Sequence, residues 1–210
     1  MMILDNIRKE LEGLNSQVLN HNILKIAQEG KLKREVIEAL VINQWYIVNH
    51  DLRSIAIGLS RSTDLEELEL FKILLDGDYS ALKELIKLMK ELNLEVRDPL
   101  TYNVSPQAVS YTHYLAWLAN YSKPTEFLFA LIVNLQVWSK VITGLGDSLR
   151  KYGIKETGFF DSFKVSYTEV ENRIAKLVEG EDVRRLRTIA FTIQQYEKDF
   201  WDYLDEMAKS

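Results

Sequence analysis

Tyr196-Glu197-Lys198-Asp199-Phe200-Trp201-Asp202-Tyr203 decides how this chain reads. Ile189, Ile193, Phe200, Trp201 and Leu204 recur around it at steps of three, four and seven, so they form one apolar face of a long helix. Glu197 lies one turn from Ile193 and one turn from Trp201, on the same side. A carboxylate set in an aromatic face is costly unless it is paired, hydrogen-bonded or protonated. Two readings stay open: a rim carboxylate paired with a lysine or arginine, or a buried acid with a raised pKa, poised to pass protons.

The same helical period runs outward through the whole chain. Strand signals are almost absent, and three prolines and nine glycines in 210 residues leave long uninterrupted patterns. Helices are expected over about 3–13, from Asn15 or Ser16 to Gln28, and over 33–58, where Asn43 to Asp51 crowd one helix with polar and aromatic groups. Thr63-Asp64-Leu65-Glu66 reads as a capping box opening a helix to about Leu75, and Asp76-Gly77-Asp78 as a turn before the next helix. Ser105-Pro106 is a helix start, a serine cap and then proline. A further helix begins near Pro124, with Gly144 and Gly146 expected to bend it, and the last two cover about 160–177 and 182–208. With no repeat, no low-complexity tract and no linker, the expectation is one all-α helical bundle over residues 1–210.

Composition excludes several kinds of chemistry. A net charge of −5 offers nucleic acid no basic surface. The absence of cysteine removes disulfides, zinc–thiolate sites and a thiol nucleophile. No signal-peptide pattern and no 18-residue uncharged apolar run is present, so a cytoplasmic protein without a membrane partner is expected. His21, His50 and His113 form no ligand pair at helical spacing, and Gly144-Leu145-Gly146 lacks the context of a phosphate loop, so no metal and no cofactor is expected.

Other candidates carry chemistry beside Glu197. Tyr111 and Tyr167 each join an apolar body to a hydroxyl; they are core or rim residues, or a pair that orients a flat heterocycle. Asn134 interrupts the apolar run Phe127–Val133, with Trp138 one turn on, so these two either tie helices together or line a pocket.

These residues resemble the TenA/PqqC group of haem-oxygenase-like bundles. The landmarks are His21-Asn22-Ile23-Leu24 with Glu29-Gly30-Lys31-Leu32 and Asn43-Gln44-Trp45-Tyr46, then Ser105-Pro106 through Tyr111-Thr112, then Tyr196-Glu197-x-x-Phe200-Trp201. The resemblance implies thiaminase II chemistry, the hydrolysis of aminopyrimidines in thiamin salvage. In that chemistry a cysteine adds to the ring, a glutamate shuttles protons, and an aspartate and tyrosines hold the amino edge. By position Glu197 matches the glutamate, and Tyr111 and Tyr167 match tyrosines. Asn134 stands where the cysteine would be, Trp138 where a further tyrosine would be, and Trp45 where the aspartate would be. The expected ligand site is therefore Glu197 as general acid/base with Tyr111, Tyr167, Asn134, Trp138, Trp45 and Tyr46 around a pyrimidine-like heterocycle, water replacing the thiol. The alternatives are a heterocycle-binding protein without catalysis and a metal-dependent oxidase of the same fold. The resemblance also implies a homodimer or homotetramer.

Overall fold

A computed structural model describes residues 3–210, and the described residues form helices and connectors without a β-strand. The helices are α1 (Ile3–Glu10), α2 (Glu12–Leu19), α3 (Asn22–Gln28), α4 (Arg34–Arg61), α5 (Leu65–Glu91), α6 (Pro106–Tyr121), α7 (Pro124–Leu149), α8 (Gly158–Asp161), α9 (Thr168–Leu177) and α10 (Val183–Lys209). The long helices α4, α5, α6, α7 and α10 make the body of the bundle, with α4 against α5 and α6, and α10 against α6 and α7.

Local chemistry sets many of the boundaries. His21 adopts extended φ and ψ, and its ring accepts from the Ile23 N–H, so the segment expected as one helix over 15–28 breaks into α2 and α3. Asp64, rather than Thr63, caps α5 by accepting from the Glu66 and Glu67 N–H groups. Pro106 opens α6 as expected, but the Ser105 hydroxyl makes no cap bond; its backbone N–H instead donates to Asn43 Oδ1 at 3.1 Å, pinning the start of α6 to α4. Glu126 is fully buried in the first turn of α7, accepts from the Lys123 N–H at 3.0 Å, and takes the Arg185 guanidinium of α10 at 2.7 Å.

One expectation about an interruption is corrected. Asp76-Gly77-Asp78 is not a turn; α5 runs through it unbroken. Leu74, Ala81 and Leu85 are buried at steps of seven and four, and burying such side chains, at about 1.5–3 kcal/mol for a leucine, outweighs the roughly 1 kcal/mol that a mid-helix glycine costs. Gly144 and Gly146, expected to bend their helix, both lie within α7. Gly146 is needed for contact instead, because a Cβ there would fall 2.3 Å from the Cβ of Phe160 on α8. The segment expected as a helix over 160–177 is only partly helical, and Tyr167 is the residue preceding α9.

One stretch among the described residues, Pro124–Tyr152, is long and apolar enough to cross a membrane by composition, and 67% of its apolar window is buried inside the bundle. The buried apolar residues fall into two clusters, one around Trp45, Leu85, Trp138 and Trp201, the other around Phe71, Leu115, Phe127 and Ile193.

Candidate functional site

The long helices pass from one apolar cluster to the other, and at the crossing each carries polar groups. Asp51 lies between Val48 and Ile55 on α4, Asp78 between Leu74 and Ala81 on α5, Tyr111 and Thr112 between Val109 and Leu115 on α6, Asn134 between Val133 and Val137 on α7, and Gln194 and Glu197 between Ile193 and Phe200 on α10. Together these form a polar layer through the bundle. Asp51, Asp78, Tyr111, Asn134 and Glu197 of that layer line one cavity, with Gln44 beside them and Ile47, Val48, Ala108, Leu135, Trp138, Phe163 and Phe200 as its apolar walls. About 50 Å³ of it is open to the centre of a water molecule. One water takes roughly 10–15 Å³ on that scale, so the space is that of a few waters or one small flat ring.

Glu197 is only 3% exposed and has a donor on each oxygen. Trp201 Nε1, one turn along α10, donates to Oε1 at 2.7 Å, and Asn134 Nδ2 donates to Oε2 at 3.0 Å. The same Asn134 nitrogen donates to Gln194 Oε1 at 3.3 Å, and Gln194 Nε2 donates to Asn15 Oδ1 at 2.6 Å. Burial pushes the Glu197 carboxyl up to about 7, against the two hydrogen bonds that pull it down. A buried carboxyl near neutrality can both give and take a proton at ordinary pH.

Asp51 and Asp78 face the cavity from α4 and α5. Asp51 is 8% exposed and accepts from the Thr112 hydroxyl. Half-buried Asp78 makes no hydrogen bond among the described residues. Burial lifts both carboxyls, Asp78 to about 7, and the charge of Asp78 lifts Asp51 further, well above the usual carboxylate range. Gln44 is 3% exposed, and its side-chain amide has no hydrogen-bond partner among the described residues. Tyr111 stays a neutral phenol, held far above its ordinary pKa by burial and then by Asp51, Glu197 and Asp78.

The aromatic wall is a connected set of rings. Trp138 lies 5.6 Å from Trp201, 5.8 Å edge-on to Phe163 and 6.0 Å edge-on to Phe200, centroid to centroid. Such edge contacts fix ring orientation.

Four of the residues expected from sequence thus share the cavity: Glu197, Tyr111, Asn134 and Trp138. Trp45, Tyr46 and Tyr167 are not among its lining residues. Successive residues on a helix point about 100° apart, and the face of α4 toward the cavity is Gln44, Ile47, Val48 and Asp51. Trp45 turns instead to the loop after α5, donating its indole N–H to the Arg97 carbonyl at 2.8 Å. Tyr46 stacks on His50 at 4.1 Å, its hydroxyl 3.0 Å from His113 Nε2. Tyr167 packs against the second cluster, its phenol raised to about 12 by burial and then by Asp78. Gln44, Asp51, Asp78, Phe163 and Phe200 are site residues to which the sequence reading gives no place in the pocket; the step of seven from Gln44 to Asp51 is the available signal.

No cation lines the cavity, and among the described residues no group of three or more histidines and carboxylates is placed to hold a metal ion. His21 is outside the cavity, 3.0 Å from Asp202.

The bundle has the haem-oxygenase-like fold. A cyanobacterial haem oxygenase-1 from Synechocystis, solved with heme, superposes with a TM-score of 0.67 at 10% identity, covering 99% of this chain and 92% of that one. A TenA homologue from Pyrococcus furiosus superposes with a TM-score of 0.81 at 21% identity, covering 97% of this chain and all of the other. A Sulfolobus solfataricus structure, described as a proposed TenA-like thiaminase, reaches 0.73 at 18% identity over 97% and 95%. A search of curated protein sequences finds no match. The sequence profile of the TENA/THI-4/PQQC family matches residues 8–206, and the chain belongs to that family.

Proposed function

We propose that this chain is a TenA-type hydrolase of a small nitrogen heterocycle, of the aminopyrimidine class or a diverged relative, with Glu197 as its general acid/base. The observation that carries this reading is the environment of Glu197: buried in the cavity wall, held at both oxygens by Trp201 and Asn134, and raised to about 7. A group with its pKa near the working pH loses little in either direction of proton transfer. The ring would lie against Trp138, Phe163 and Phe200, and the neutral Tyr111 phenol would donate to it. For an aminomethyl pyrimidine, water supplies the oxygen: a C–O bond forms, the exocyclic C–N bond breaks, and Glu197 takes one proton from water and returns one to the departing ammonia. Family membership and the likeness to a protein described as thiaminase-like support the substrate class.

A second reading, a heterocycle-binding protein without catalysis, is favoured by Asn134. It stands where the resemblance expects a thiol, and its amide is occupied as a donor to Glu197 and Gln194. Ammonia release from 4-amino-5-aminomethyl-2-methylpyrimidine separates the two. Turnover lost in Glu197→Gln, with the helical circular dichroism unchanged, supports the hydrolase; no turnover in the wild type beside binding of 4-amino-5-hydroxymethyl-2-methylpyrimidine supports the binder. The same reading carries a cytoplasmic homodimer or homotetramer, which light scattering of the pure protein tests.

A further inference from the structure

We propose that Gln44, Asp51 and Asp78 form an anionic subsite that seats the ammonium group of a basic, ring-bearing amine. The inference rests on the reading of the cavity as a small-ring site and names the charge of what enters it. The resemblance assigns no site role to Gln44, Asp51 or Asp78, and the two aspartates lie outside its landmarks.

Three observations support it. First, the lining includes three carboxyl groups, Asp51, Asp78 and Glu197, and no lysine, arginine or histidine. An anionic ligand such as a phosphate or carboxylate has nothing there to neutralise it. Second, the wall formed by α4 and α5 is short of donors. Asp78 has no hydrogen bond among the described residues, Asp51 has only that of Thr112, and the Gln44 amide, although 3% exposed, has none. These polar atoms face the cavity and not packed protein, so a ligand that carries N–H groups can meet them there. An ammonium brings three, and the wall offers three acceptor groups. Third, the remaining surface is aromatic, with Trp138, Phe163 and Phe200, and ring faces favour a neighbouring cation.

A purely structural account, in which Asp51 and Asp78 simply share a proton, leaves Gln44 unmet. It also predicts no preference for charge. The titrating groups that face this wall are Asp51 on α4, Asp78 on α5, Tyr111 on α6, Tyr167 ahead of α9 and Glu197 on α10. A cation seated between Asp51 and Asp78 drives off protons held there near neutrality, so binding releases protons to the buffer.

The test uses probes outside the pyrimidine class, so that its outcome is independent of the substrate proposed above. Benzylamine and benzyl alcohol have nearly the same shape and differ in charge. Calorimetric titration at pH 7.5 is expected to show benzylamine bound at least about tenfold more tightly than benzyl alcohol. The heat should change with the ionisation enthalpy of the buffer in the direction of proton release. Asp78→Asn and Asp51→Asn should each erase most of the preference while keeping the melting transition, and Glu197→Gln should keep the preference. Equal affinity for the two probes, no heat from benzylamine at millimolar concentration, or a preference untouched by both aspartate variants overturns the subsite. Charge preference without pyrimidine hydrolysis leaves the subsite standing and removes the proposed reaction; pyrimidine hydrolysis with no charge preference does the reverse.

Discussion

The cavity's two carboxylate walls are built on different plans. On α10, Glu197 has a donor on each oxygen, and its donor Asn134 is fixed in turn by Gln194 and Asn15. On α4 and α5, Asp51 has one donor and Asp78 none. Burial raises all three groups, so desolvation does not distinguish the walls; hydrogen-bond supply does. A carboxyl whose donors are already in place is held still for proton transfer. A pair without donors is held open for a ligand that carries them.

Breaking the first wall has the largest expected effect. Glu197→Gln keeps shape and removes the exchangeable proton, and loss of a positioned acid/base is worth about 10²–10⁴ in rate. Initial rates of ammonia release would measure it, and a change of less than about tenfold would remove Glu197 from the chemistry.

Stability against pH comes next. The folded state holds Glu197 at about 7 against an ordinary value of 4.5. Between those values the folded form binds more protons than the unfolded form, so stability falls as pH rises through that window and is flat above it. The loss from Glu197 alone is about 3 kcal/mol at roughly 1.4 kcal/mol per pH unit, and Asp51 and Asp78 act in the same direction. Urea melts from pH 4.5 to 8 should therefore slope downward in the wild type, and less steeply in Glu197→Gln and in Asp78→Asn. Equal slopes in all three would mean that these carboxyls are not buried as described.

Asn134→Ala sharpens the contrast by stripping one donor from the satisfied wall. It leaves Glu197 Oε2 and Gln194 Oε1 without their partner, at about 1–3 kcal/mol. Because that hydrogen bond lowers the Glu197 pKa, its loss should move the rising limb of the pH–rate profile to higher pH. The smallest effect belongs to the other wall. A Cβ at Gly77 would meet nothing within 4 Å, so Gly77→Ala should raise stability by up to about 1 kcal/mol, read as a rise of a few degrees in Tm, with amine binding unchanged.

Sequence alone exposes the all-helical architecture and singles out Glu197 and Asn134 as candidates, and for a physical reason. Glu197, Trp201 and Ile193 declare their common face through helical spacing, and Asn134 stands out because it interrupts an apolar run. The open wall was hidden by its local chemistry. Asp76-Gly77-Asp78 has the composition of a turn, and only the buried partners of Leu74, Ala81 and Leu85 hold it in a helix. Gln44 sits beside Trp45, the stronger aromatic signal, whose indole turns away from the cavity to the loop at Arg97. Tyr167 falls where the expected helix breaks, between the end of α8 at Asp161 and the start of α9 at Thr168.

The unbroken course of α5 through Gly77 has a consequence for how this chain tolerates insertions and deletions. One residue gained or lost between Leu65 and Asp78 would swing the carboxyl about 100° around the helix axis, out of the cavity, and bring Gly77 or Tyr79 into its place. Had the same three residues formed a loop, the length of that loop would have been free to drift. As a helix they act as a ruler, and the thirteen residues after the Asp64 cap, Leu65 to Gly77, set where Asp78 points.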